Sequence, residues 1–182
     1  DKRTGKYEPP IDTTAPYKPN LKINTAGMTG PYMTSNTTWP ISWIVYDNES
    51  SIDGSRHAVG TTPGSDDILN WQTTNDVNNS NINVSGVTNG SKYYISVKGR
   101  NTQGQYSVLD SKAVTLDITV PVNVSGIVLP AIPTSNKTLK TSWNKATDAE
   151  SGIQKYLVKV LEVTNNTTVL RHSQEYTAPT DN

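Results

Sequence analysis

The residues of this chain best suited to chemistry are carboxylates that occur twice in one pattern. Asp12 precedes Asp47-x-Glu49, and Asp117 precedes Asp148-x-Glu150. Carboxylate oxygens are hard ligands for cations if a fold gathers them; otherwise Asp and Ser in such segments form turns and cap backbone N–H groups. The two histidines, His57 and His172, do not occupy equivalent places. His172-Ser173-Gln174-Glu175 has the residue types of a metal or acid–base pair, but reads more simply as a solvated strand end. Asp66-Asp67 has the residue types of a glycosidase pair, and reads as loop solvation. No G-x-S-x-G, phosphate-loop or H-E-x-x-H pattern is present. Cysteine is absent, which removes thiol chemistry and disulfides together. The expectation is a protein without catalytic activity.

The carboxylates belong to a longer repeat. Thr34-Ser35-Asn36-x-Thr38-x-x-x-Ser42-Trp43 returns as Thr134-Ser135-Asn136-x-Thr138-x-x-x-Ser142-Trp143. Asp47-x-Glu49-Ser50-Ser51-Ile52 returns as Asp148-x-Glu150-Ser151-Gly152-Ile153. Asp12-Thr13-Thr14-Ala15-Pro16 is echoed by Asp117-Ile118-Thr119-Val120-Pro121. The offsets are 100, 101 and 105 residues, in unbroken order, so one structural unit is used twice with loop insertions. Residues 1–11 fall before the repeat and are expected to be a tail or last strand of a preceding module. The first unit is expected over 12–117 and a partial second unit over 118–182.

Composition bounds the elements that carry these residues. Formal net charge is zero and the charges are interspersed, so no basic stripe for nucleic acid is evident. No apolar run approaches membrane-spanning length. Phenylalanine is absent, so Trp, Tyr, Val, Ile and Leu must form the core. Ser, Thr, Asn, Gly and Pro are abundant and helix formers sparse, which is a strand-and-turn composition. Leu21 and Ile23 alternate as a first strand; Trp39, Ile41, Trp43 and Val45 as a second, with Pro40 expected to delay its start or create a bulge. Ile52 to Val59 gives a third strand, followed by a long loop from Gly60 to Asp67. Ile68 to Trp71, Asn81 to Val87, Tyr93 to Val97 and Tyr106 to Leu116 complete about seven strands, with Asn89-Gly90 as a strong turn. The second unit offers Val122 to Leu129, Leu139 to Trp143, Tyr156 to Val160, and Val169-Leu170. Such spacing predicts an all-β protein of antiparallel sandwiches. Trp43, Tyr93, Ile95 and Val97 are the expected core of the first unit; Trp143, Tyr156, Val158 and Val160 that of the second.

At these residues the chain resembles the fibronectin type III family, in the variant found in prokaryotic surface proteins. Trp143, Asp148, Glu150, Ser151, Gly152, Ile153 and Tyr156 match its pattern in full. Trp43, Asp47, Glu49, Ser50 and Ile52 match in the first unit, which departs with Ser51 for the Gly and Ser55 for the Tyr. Val87-x-x-Gly90-x-x-Tyr93-x-Ile95-x-Val97, then Asn101-x-x-Gly104, resembles the family's tyrosine corner and penultimate strand. The resemblance implies tandem fibronectin type III-like, immunoglobulin-like antiparallel β-sandwiches, the second incomplete. By the repeat offset, Asn182 corresponds to Asn81, so the last two or three strands of the second unit are expected to be missing. A longer chain, a neighbouring copy donating residues 1–11, or an altered half-domain would each account for that; the first is preferred.

Such a sandwich places the entry segment and the loop between the second and third strands at one pole. Asp12, Asp47 and Glu49 would then converge, as would Asp117, Asp148 and Glu150, and with carbonyl oxygens each set would suit Ca²⁺. No other cofactor is expected. Trp39 and Trp71, present only in the first unit, would stack on a sugar ring if exposed beside Tyr32 or Tyr46; packing under the long loop is the plainer reading. Asn36, Asn48, Asn78, Asn83, Asn89, Asn123, Asn136, Asn165 and Asn166 each begin an N-x-S/T sequon, with Asn36, Asn89 and Asn136 expected to be accessible. The expected role is a non-enzymatic structural or adhesion module of an extracellular tandem-repeat protein on an archaeal or bacterial surface. Its expected partners are neighbouring modules, copies of itself or glycans, with no nucleic acid and no membrane span. The rival expectation is an accessory, carbohydrate-binding module of a secreted hydrolase.

Overall fold

A computed structural model of the chain describes residues 11–24, 30–129 and 140–178. It divides into two compact units, Asp1–Ile118 and Thr119–Asn182. The first unit contains β1 (Asn20–Ile23), β2 (Tyr32–Met33), β3 (Thr38–Ile44), β4 (Ile52–Gly60), β5 (Leu69–Thr74), β6 (Asn79–Asn83), β7 (Lys92–Asn101) and β8 (Asp110–Leu116). They form two sheets, ordered β1-β3-β6 and β2-β8-β7-β4-β5. All pairings are antiparallel except β2 with β8, which is parallel. No helix occurs among the described residues. The first unit is thus the immunoglobulin-like β-sandwich that the period-two alternation predicts.

Its core lies between the sheets. Leu21, Trp39, Ile41, Trp43 and Ile82 come from one sheet; Val59, Tyr93, Ile95, Val97, Val114 and Leu116 come from the other, and all are buried. The expected core residues Trp43, Tyr93, Ile95 and Val97 are therefore in place. β3 shows why alternation is decisive: Trp39, Ile41 and Trp43 point inward while Pro40 is exposed between them. Pro40 neither delays the strand nor bulges it, contrary to the expectation. In an antiparallel strand the N–H and C=O of one residue face the same neighbour. The Pro40 carbonyl accepts the Asn24 N–H (3.2 Å), just beyond the end of β1, so the missing N–H costs no ladder bond with β6. The Tyr93 hydroxyl accepts the Thr88 N–H (2.8 Å), the backward bond of a tyrosine corner, and Gly90 takes the positive φ of 75° that its turn requires.

The second unit contains β9 (Ser125–Val128), β10 (Ser142–Asn144), β11 (Lys155–Thr164) and β12 (Thr167–Thr177), in two antiparallel pairs, β9-β10 and β11-β12. Asn165 and Asn166, at φ 51° and 62°, form the two-residue turn of the β11–β12 hairpin. Tyr156, Val158 and Val160 share one face, as the alternation predicts, and the Tyr156 ring lies 5.8 Å from that of Trp143. The expectation of a buried core here is corrected. Trp143, Tyr156, Val158 and Val160 are half-buried, and every residue of β12 is exposed. Two-stranded ribbons have too little area to enclose side chains on a second layer. Leu139, expected in the second strand, and residues 1–10 lie outside the described residues.

Candidate functional site

The Asp-x-Glu-Ser blocks are built alike in both units. Asp47 Oδ1 accepts the N–H groups of Glu49 (2.9 Å) and Ser50 (3.1 Å) in the loop from β3 to β4. Asp148 Oδ1 accepts those of Glu150 (3.2 Å) and Ser151 (2.9 Å) between β10 and β11. In each case one aspartate oxygen closes the turn, as short polar side chains do best. The upstream threonines complete the correspondence: Thr14 Oγ1 donates to Glu49, and Thr119 Oγ1 donates to Glu150 Oε2 (3.0 Å). The duplicated carboxylates therefore preserve a hydrogen-bond pattern, whatever else they do.

In the first unit, oxygens of Asp12, Asp47 and Glu49 gather within 4.8 Å of one another. Asp12 is nearly buried and its Oδ1 accepts the Thr14 N–H (2.9 Å). The hub of the cluster is Asn101, at the end of β7, which is fully buried. Its Oδ1 accepts the N–H groups of Gln103 (3.2 Å) and Gln105 (2.9 Å), so its Nδ2 must face the acids. Four oxygens converge on that nitrogen: Asp12 Oδ2 (2.9 Å), Gln105 Oε1 (3.0 Å), Thr14 O (3.1 Å) and Asp47 Oδ2 (3.3 Å). An amide NH₂ has two protons, so acceptors exceed donors. None of the three carboxylates is in an ion pair with Lys, Arg or His among the described residues. The Asp12 carboxyl is held below the ordinary carboxylate range, first by the adjacent Ser50 hydroxyl, against the effect of burial, then by the Thr14 N–H. Ser50 Oγ is enclosed without a partner in full hydrogen-bond geometry, so it counts as a polar neighbour and not as a formed bond. The sequence marks Asn101 only as the start of a turn and gives no hint of its place among the acids. That mark is its position at the end of the alternating run Tyr93 to Val97, just before the Gly104 turn.

In the second set, Asp148 and Glu150 belong to the second unit and Asp117 to the first, just after β8, where its N–H donates to Met33 O (2.8 Å). The Asp148 carboxyl is also held low, by the Ser151 N–H first.

The remaining candidates separate. His57 is buried on the inner side of β4, its Nδ1 without a partner, and burial lowers its pKa against the pull of Asp76. His172 and Glu175 on β12 are three residues apart and point to opposite faces, and Glu175 pairs with Lys155 (2.9 Å). Asp66 and Asp67 do not act together either. Asp67 alone pins the long loop, accepting from Thr61 N (2.9 Å), Thr61 Oγ1 (2.8 Å) and Ser65 Oγ (2.8 Å). A Cβ at Gly60 would collide with that same Ser65 hydroxyl, so the loop closes only over glycine. These bonds, the Thr61 N–H first, lower the Asp67 pKa to about 2. A depressed carboxylate stabilises the fold above its unfolded pKa of about 4. The loop's contribution is therefore expected in full above about pH 4 and to fade towards pH 2. Asp67→Asn should flatten that segment of the stability–pH curve, as measured by urea unfolding at successive pH values.

Trp39 does not meet the exposure that sugar stacking needs. It is fully buried and its Nε1 donates to Ser35 O (2.6 Å). Trp71 is half-exposed, beneath the Lys98 ammonium. Of the sequon asparagines, Asn36, Asn48, Asn78, Asn83, Asn123, Asn165 and Asn166 are exposed. Asn89, expected to be accessible, is half-buried with its Oδ1 engaged by the Ile118 N–H (2.8 Å), because the turn is packed against the end of β8. Asn136 lies outside the described residues. A cleft of about 170 Å³ in the second unit, lined by Lys145, Asp148, Ile153 and Tyr156 among others, is well below the usual size of a ligand pocket.

No family model and no curated protein matches the chain. Solved structures do. Fibronectin(III)-like modules of Clostridium thermocellum CbhA match over 55% of this chain and 47% of theirs, at 14% identity and a TM-score of 0.38. The FN1–FN3 domains of chicken CNTN1 match over 90% of this chain and 66% of theirs, at 11% identity and a TM-score of 0.41. An α-L-rhamnosidase from Dictyoglumus thermophilum matches over 71% of this chain and 16% of its own, at 10% identity and a TM-score of 0.47. The chain thus spans less than half of the first of these and a small part of the enzyme. No described helix is long and apolar enough to cross a membrane.

Proposed function

We propose that the chain is a non-enzymatic, extracellular structural segment of a prokaryotic surface or filament protein, with modules over 12–117 and 118–182 that space or display what they join. The observation that supports a mechanical role is the parallel pairing of β2 with β8. Thr115 N donates to Pro31 O (2.9 Å) and Asp117 N to Met33 O (2.8 Å). β2, the second strand from the unit's entry, and β8, the strand at its exit, lie side by side and run the same way. Once β1 has peeled from β3, tension applied through the chain would pull β2 and β8 in opposite directions and load these bonds together, in shear. Asp110 adds a second tie between the sheets. It accepts the Leu21 N–H (2.9 Å) and pairs with Lys18 (2.9 Å). The rival reading of an accessory module with a Trp39–Trp71 sugar platform loses one of its two rings to the core.

The location is tested on intact source cells. Brief protease treatment should release fragments of the chain, and mass spectrometry should find glycans on exposed sequons such as Asn36 or Asn83. Recovery only after lysis, with bare asparagines, would contradict the reading.

We also propose that the Asp12–Asp47–Glu49 cluster takes Ca²⁺; the supporting observation is its excess of acceptors with no compensating cation. The ion would neutralise the carboxylates and stiffen the entry segment against the loop. Calcium at a hundredfold excess over its Kd should stabilise the first unit by about 2.7 kcal/mol, read as a higher melting temperature than in EDTA. An unchanged melting temperature would show that the Asn101 amide alone closes the cluster.

A further inference from the structure

The outer face of the five-stranded sheet carries a row that sequence order hides. Trp71 of β5, Arg56 of β4, Lys98 of β7 and Tyr106 lie across neighbouring strands. Arg56 and Lys98 are register partners, and Arg100 bridges to Tyr106. The Arg56 guanidinium stands between two rings, 6.0 Å from Trp71 and 5.7 Å from Tyr106, and the Lys98 ammonium is 5.0 Å from the Trp71 ring.

Two features go beyond mutual packing. First, the end of the Arg56 guanidinium makes one long hydrogen bond, from Nη2 to Trp71 O at 3.5 Å, while its Nε is enclosed and out of a ligand's reach. A guanidinium has five N–H donors. Second, neither Arg56 nor Lys98 is in an ion pair among the described residues, whereas Arg100 beside them is neutralised by Asp53 (2.8 Å). Two uncompensated cations thus share a half-exposed aromatic surface in a chain of zero net charge.

We propose that this face binds an acidic polysaccharide of the uronic-acid class. The forked guanidinium and the ammonium match a sugar carboxylate. The half-exposed Trp71 and Tyr106 rings add apolar area beside these cations for the pyranose C–H surface. Two free cations are too few for a nucleic-acid backbone, whose affinity grows with the number of phosphates neutralised. It does not depend on the mechanical role proposed above.

Calorimetric titration of the whole chain with oligogalacturonate tests it, beside the methyl-esterified oligomer and an oligothymidylate. Oligogalacturonate is expected to bind, more weakly at higher salt. Esterification or Lys98→Gln should each weaken binding about tenfold or more, and Trp71→Ala should reduce it further. Lys98→Gln alters only a surface group, so it decides the matter if Trp71→Ala does not fold. Absence of oligogalacturonate binding, wild-type affinity in folded Lys98→Gln, or equal affinity for oligothymidylate would each overturn the proposal.

Discussion

Trp43→Ala is expected to destabilise the first unit by about 3–5 kcal/mol. Trp43 is 1% exposed, lies on the central strand of its sheet, and points between the layers with Trp39 and Ile41. Removing the indole leaves a void that strands held on both sides cannot collapse to fill. The equivalent Trp143 is half-exposed, so Trp143→Ala should cost far less, about 1–2 kcal/mol. Urea unfolding of both variants measures the difference. Equal effects at the two positions would refute the contrast in packing between the units.

Asn101→Ala is expected to cost the same unit about 2–4 kcal/mol, although it removes only an amide. The side chain is wholly buried and joins the backbone of the turn after β7 to the carboxylates of Asp12 and Asp47. Its loss strands the Gln103 and Gln105 N–H groups and takes from Asp12 Oδ2 and Asp47 Oδ2 the donor they share. Asn101→Asp should be more harmful at neutral pH, because it adds a like charge to the cluster. Added Ca²⁺ should restore much of that loss if the cluster takes the ion. The urea midpoint of each variant, at unchanged slope, is the readout.

The first unit was largely legible because its alternation is strict where both sheets bury a face. Trp39 to Trp43 and Tyr93 to Val97 announce their inner sides without any tertiary information. Pro40 misled because the cost of a proline depends on which neighbour its missing N–H would face. The short parallel strand Tyr32–Met33 left no periodic trace; two residues cannot show a period. In the second unit the face of β11 was correctly read, but burial is a property of what covers a face. At the acidic cluster, the repeat located the carboxylates and their turns. It could not reveal Asn101, whose part rests on a contact with Asp12 across 89 positions of sequence. The Trp71–Arg56–Lys98–Tyr106 row was hidden for the same reason, since each residue comes from a different segment.

Stretching single molecules held by their two ends tests the proposed mechanical role. One abrupt unfolding event is expected for the first unit, as the β2–β8 bonds yield together. The gain in length should be about 3.3–3.6 Å for each residue released. Smooth extension at low force, with no discrete event, would contradict that role.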